Sequence, residues 1–235
     1  MRVDDAAHGV TAIPGRKRLP IAVAILLAVL LALGACGSGG AKEQANNARS
    51  LPEGSYPVAL RPGEYRSKEF EPSFSFHVGK GWNNDRLETS DKLAISRGGE
   101  GPPTLIFRNV QQVYDYDKTG TTPEVVKAPS DMVGWFQHHP YLDTEKPEPT
   151  TVGDVKGVQL DYVLSEDAPS EEIDLFRYTD GSTADQGKGN KFRTIILEDV
   201  KGKTVTIGIG SPTTEFDDFL AKSQKVLDTV KWAGT

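Results

Sequence analysis

The chain has 235 residues, a formal net charge of −6 and a single cysteine. An acidic chain without a basic stripe is not built to neutralise the phosphates of a nucleic acid. One thiol excludes an intramolecular disulfide and any metal site built on several thiolates, so a hydrophobic core must stabilise the folded part.

Arg16, Lys17 and Arg18 directly precede an uncharged stretch of 17 residues, Leu19 to Ala35. A positive cluster, an apolar run and small residues at its end are the layout of a secretory signal peptide. The positive cluster favours retention on the cytoplasmic side, so the rest of the chain is exported. At 17 residues the run is at the lower edge of what spans a bilayer core of about 30 Å, so a permanent transmembrane anchor is the competing reading. Cys36 decides between them. Leu33-Gly34-Ala35-Cys36 resembles the lipobox of bacterial lipoproteins. That resemblance implies a diacylglyceryl group on the Cys36 thiol and cleavage on its N-terminal side. Residues 1–35 are then a lipoprotein signal peptide, and membrane lipid is the partner, held through acylated Cys36. The expected location is the extracytoplasmic face of the cell membrane.

Residues 36–54 hold the lipidated cysteine and a stretch rich in Gly, Ser, Ala, Asn and charges. With so little apolar surface to offset its ordering entropy, this stretch reads as a flexible linker. Residues 55–235 change to regularly spaced aromatic and β-branched side chains, enough for a single domain with a sizeable core. Removing residues 1–35 takes four of the 27 Lys/Arg and two of the 33 Asp/Glu and leaves a formal charge of −8. Attachment then depends on lipid rather than on attraction to anionic headgroups.

Several short segments alternate at period two, as half-buried strands do. In Phe74-Ser75-Phe76-His77-Val78 the apolar residues share one face. Leu93-Ala94-Ile95 and Thr104-Leu105-Ile106-Phe107 are short β-type runs separated by Gly98, Gly99, Gly101, Pro102 and Pro103. Val158 to Leu164 alternates again, and Ile173 to Tyr178 does so more weakly. Phe192 to Val200 and Lys203 to Ile209 flank Lys201-Gly202, where the glycine supplies the positive φ of a two-residue hairpin turn. Two helices are predicted. Ser130 is the expected N-cap of the first, with Met132, Trp135, Phe136 and His139 at helical spacing and Pro140 as its stop. The second follows Pro212-Thr213-Thr214 and carries a stripe of Phe216, Phe219, Leu220, Ser223, Val226, Leu227 and Val230. Hairpin strands with few helices and no regular βαβ alternation indicate an α+β domain, an antiparallel β-sheet covered by the two helices.

Phe70-Glu71-Pro72-Ser73-Phe74-Ser75-Phe76-His77-Val78-Gly79 leads to Gly81-Trp82. Val152-Gly153-Asp154-Val155-Lys156-Gly157-Val158-Gln159-Leu160-Asp161 follows much later, and the closing helix runs into Val226-Leu227-Asp228-Thr229-Val230-Lys231-Trp232. Over roughly residues 64–232 this order resembles the PsbP-like superfamily, which includes extrinsic photosystem proteins and mycobacterial LpqN-type lipoproteins. The resemblance implies a PsbP-like α/β/α sandwich and a lineage used for binding and assembly rather than catalysis. It carries over no site residue. The chain also looks like lipoproteins of actinobacterial type.

Catalytic and cofactor motifs are missing from the sequence. Neither Gly210-Ser211-Pro212 nor Gly181-Ser182-Thr183 makes G-x-S-x-G, and there is no H-E-x-x-H, Walker A loop or G-x-G-x-x-G. Gly187-Lys188-Gly189-Asn190 reads as a loop between strands. The metal candidates are His138 and His139 with Asp143. Adjacent histidines on a helix diverge by about 100°, so only their place at the helix end brings them together; otherwise one packs and one is solvated. Asp115 and Asp117 share a face if extended and offer two oxygens to Ca²⁺, against a solvated loop edge as the other reading. Trp82, Trp135 and Trp232 are core anchors unless two of them line one cleft. No cofactor is expected. The expected function is a non-catalytic adaptor, assembly or ligand-binding module, whose partner is an envelope protein or a small ligand. The competing class is an envelope enzyme with a site assembled from scattered residues.

Overall fold

A computed structural model describes residues 48–98, 103–116 and 122–234. Residues 1–35, expected to be a signal peptide, with Cys36, Asp117 and most of the expected linker, lie outside the described residues. Five of the segments predicted as strands form the middle of one nine-stranded sheet. In it β12 (Val155–Leu164), β15 (Asn190–Val200), β16 (Lys203–Pro212), β7 (Thr104–Arg108) and β6 (Lys92–Ser96) lie side by side, each pair antiparallel. The two-residue strands β5 (Asn83–Asn84) and β2 (Val58–Ala59) extend it beyond β6. At the other side β10 (Leu142–Thr144) and β11 (Glu148–Val152) both pair with β12. The β15–β16 hairpin closes at Val200 opposite Lys203, with φ of 56° at Lys201 and 77° at Gly202. Both turn residues are left-handed, as a turn matched to the strand twist requires.

Both faces of this sheet are buried, and the period of two divides each strand between two cores. Leu93, Ile95, Leu105, Phe107, Ile207 and Ile209 face one way. There they meet a four-stranded sheet of β1 (Arg49–Ser50), β3 (Gly63–Arg66), β4 (Phe74–Val78) and β17 (Lys231–Trp232), together with helix α2 (Phe216–Leu227). Ala94, Ile106, Leu160, Tyr162, Phe192 and Ile196 face the other way. A second four-stranded sheet covers them, built from β14 (Thr183–Gly187), β13 (Glu172–Arg177), β8 (Gln112–Asp115) and β9 (Glu124–Lys127), with helix α1 (Met132–His138) beside it.

This corrects the expectation of one sheet covered by helices. The protein is β-rich, and small sheets do most of the covering. The reason is dimensional. Eight strands side by side span roughly 34 Å, whereas helices of 7 and 12 residues are only about 10 and 18 Å long. Two local expectations also shift. Asp131, not Ser130, caps α1, its carboxylate accepting from the Gly134 N–H at 2.7 Å. Arg49 and Ser50 pair with Tyr65 and Arg66, and Leu51 is buried, so the folded part begins before residue 55.

Candidate functional site

Where β4 ends, Gly79-Lys80-Gly81 turns the chain back towards Trp82. Gly81 has a φ of +81°, and a Cβ there would lie 2.9 Å from an Arg97 Nη, so both the turn and the close approach select glycine. Arg97, just beyond β6, donates from Nη1 to the Lys80 carbonyl at 2.8 Å. Its guanidinium carbon lies 5.6 Å from the Trp82 ring centroid, within range of a cation–π attraction. Trp82 is buried and packs on Phe219 of α2 with centroids 5.7 Å apart. The same turns of α2 that bury Phe219 and Val226 inward therefore bring Lys222 and Lys225 to the outer side of Trp82.

The result is a groove of about 340 Å³ lined by Lys80, Trp82, Arg97, Lys222, Lys225 and Val226, together with His77 and Gly79. A neighbouring concavity of about 280 Å³ shares Arg97 and Lys222 and adds Glu215 and Asp218. Lys222 pairs with Asp218 one helical turn away. Lys80, Arg97 and Lys225 have no ion-pair partner among the described residues, and Lys80 and Lys225 are exposed. Four cations from three segments thus surround an aromatic and aliphatic floor in an acidic chain. Such a groove is suited to a ligand with an anionic group and an apolar body.

A second polar cluster lies inside the molecule, where the β13–β14 sheet meets the central one. Lys92 is 4% exposed; its Nζ donates to Asp180 at 2.9 Å and Ser182 at 2.8 Å and lies 4.5 Å from the Tyr178 ring centroid. Arg108 donates from Nε to the Tyr178 hydroxyl at 2.8 Å and is 5% exposed. Burial raises the Tyr178 pKa against the pull of Arg108. Asp91 accepts from Thr89 and from both the N–H and hydroxyl of Thr179. Burial alone would raise its pKa, but these hydrogen bonds outweigh it and hold the carboxyl below its ordinary value. The Ser182 hydroxyl and Lys92 bring Asp180 down to about 2. This network ties the 178–182 turn to the starts of β6 and the end of β7.

The metal candidates separate. His138 is exposed, with Nδ1 2.7 Å from the Gly134 carbonyl. His139 is buried against Trp135 and Tyr116, with ring centroids 5.2 and 5.4 Å away, and its Nδ1 accepts from the Tyr141 N–H at 3.2 Å. Asp143 is exposed on β10. No three His, Cys, Asp or Glu side chains are placed to hold a metal among the described residues. Asp115 ends β8. Trp82 and Trp232 belong to one core and Trp135 to the other, and of the three only Trp82 lines the groove.

Arg97, Lys222, Lys225, Lys92 and Arg108 are missed by sequence reasoning. For the groove, no linear signal joins a turn, a strand end and a helix face. For Lys92 and Arg108 a signal exists: each lies in register with the second face of a strand whose first face is wholly apolar.

No family model matches the chain, and no curated protein matches it. Solved structures similar to it include two at low identity. One is the solution structure of cyanobacterial PsbP (CyanoP) from Synechocystis sp. PCC 6803, at 10% identity, covering 77% of this chain and 97% of that one with a TM-score of 0.38. The other is the crystal structure of LpqN, involved in cell envelope biogenesis of Mycobacterium tuberculosis, at 11% identity, covering 74% of this chain and 88% of that one with a TM-score of 0.33.

Proposed function

We propose that the chain is an exported protein anchored by lipid at Cys36, whose folded domain is a non-catalytic module that binds an envelope partner or a small ligand. The anchor is supported by Arg16-Lys17-Arg18, the apolar run and Leu33-Gly34-Ala35-Cys36. Among the described residues no helix is long and apolar enough to cross a membrane. The single observation that carries the binding reading is the groove, where Lys80, Arg97, Lys222 and Lys225 gather round Trp82. Lys80, Arg97 and Lys225, which have no carboxylate partner among the described residues, beside a recessed aromatic surface favour recognition of something outside the chain.

Site-specific photo-crosslinking in intact cells tests this. A crosslinking side chain at Lys80, in the groove, should yield a discrete adduct. The same group at Glu198, exposed on the β15–β16 hairpin, should not. Equal labelling at both positions, or none at either, contradicts the reading. Turnover of an ester, peptide, phosphate or glycoside substrate abolished by one Ser, Asp or His substitution would replace it with the enzyme.

A further inference from the structure

We infer that the groove binds a phosphate group, and that membrane headgroups are the source that the geometry favours. This rests on the groove being the binding site, and the choice of headgroups as the source rests also on the N-terminal segment holding the chain at a membrane.

The first argument is chemical. Arg97 is pre-positioned: its Nη1 is fixed on the Lys80 carbonyl, its guanidinium lies over Trp82, and Gly81 leaves room for it. A planar guanidinium matches two oxygens of one phosphate, and ammonium groups add charge without fixing direction. Lys80 supplies one such group from the turn and Lys225 another from α2, and Lys222 is shared with Asp218. A carboxylate and a phosphodiester each carry one charge on two free oxygens, but the phosphorus is tetrahedral and its four oxygens face different sides, which suits cations arriving from three segments. The formal charge of −6 over the chain makes the cluster local, so it selects a small anionic group rather than a long polyanion.

The second argument is topological. β1 runs parallel to β3, and β3 is antiparallel to β4. Arg49 stands opposite Tyr65, Tyr65 opposite Phe76, and Gly63 opposite Val78. The chain therefore enters this sheet from the end at which β4 runs out into Gly79-Lys80. Arg49 reaches further that way, donating to the carbonyls of Arg61 and Pro62 at 3.2 and 2.9 Å. The groove is at the end of the domain from which the chain leads back to Cys36. Residues 37–48 span at most about 43 Å when fully extended.

Calorimetry on the full-length protein in a non-ionic detergent provides the test. One arm titrates glycerol phosphate, the other a short-chain phosphatidylglycerol below its micelle concentration, with acetate as the control anion. Binding of a phosphate probe, not of acetate, is expected. Arg97→Gln should weaken it on the order of tenfold, as loss of a hydrogen bond between charged groups does. The exposed pair Lys80→Gln and Lys225→Gln, which disturbs no packing, should weaken it comparably. Tighter binding of the lipid probe assigns the source to headgroups; equal binding assigns it to soluble phosphate esters, and both support the phosphate site. No binding of either probe, or equal binding by all variants, overturns the inference. A Lys80 adduct without phosphate binding would leave the binding reading standing and remove this one alone.

Discussion

Arg108 shows how a cation is kept inside a sheet. Its neighbour across the strand pair is Thr206, and the next residue on that face of β16 is Gly208, where a Cβ would collide with the guanidinium. Gly210 likewise makes room for the Phe192 ring. Small residues on one strand are thus matched to large ones beside them, as close packing demands. His139 is a buried titratable group of a different kind. Burial brings its pKa down from 6.5 to about 4. The unfolded chain takes up a proton below pH 6.5 that the folded one refuses until about pH 4. Stability from this residue is therefore complete above pH 6.5 and falls as pH drops towards 4, by about 3 kcal/mol in all. Denaturant melts of the wild type and His139→Phe at stepped pH should show that slope flattened in the variant; parallel slopes would place the imidazole in solvent.

At the scale of elements, legibility depended on strand length. Phe74–Val78, Thr104–Arg108 and the β15–β16 hairpin are readable because four or more alternating residues define a face. Strands of two residues, such as Arg49–Ser50 and Lys231–Trp232, have no period to read; only their neighbours make them strands. In the two covering sheets β8, β9 and β14, of four or five residues, escaped for another reason: each holds at most two apolar residues, too few to mark a face, and with them went the architecture. Helix α2 was readable in its inward stripe, while its outward lysines gained meaning only from Trp82 and Arg97 across the groove. Phe219, 2% exposed and packed against Trp82, anchors that helix. Phe219→Ala should cost about 3–5 kcal/mol in urea unfolding, and Phe219→Asp should abolish a cooperative melt by burying an unpaired carboxylate. A normal melt for the Asp variant would mean that the stripe is a partner interface rather than core.

For the whole molecule, the wide central sheet is sealed by small sheets and short helices on two separate cores, leaving the groove as a recess at the end where the chain enters. A lipid anchor would hold that recess within reach of the envelope surface, since two acyl chains at about 0.8 kcal/mol per buried methylene suffice for stable attachment. The proposed address rests on charge, apolarity and a cysteine in one contiguous run of sequence; the groove is not legible there, because Lys80, Arg97 and Lys225 come from separate segments. Intact mass spectrometry of the membrane fraction tests the anchor directly. The account expects wild-type protein to begin at Cys36 and carry a diacylglyceryl mass, and Cys36→Ser to remain an unlipidated precursor that keeps residues 1–35. Wild-type protein that begins at Met1 with a free Cys36 thiol would contradict it and establish an ordinary transmembrane anchor.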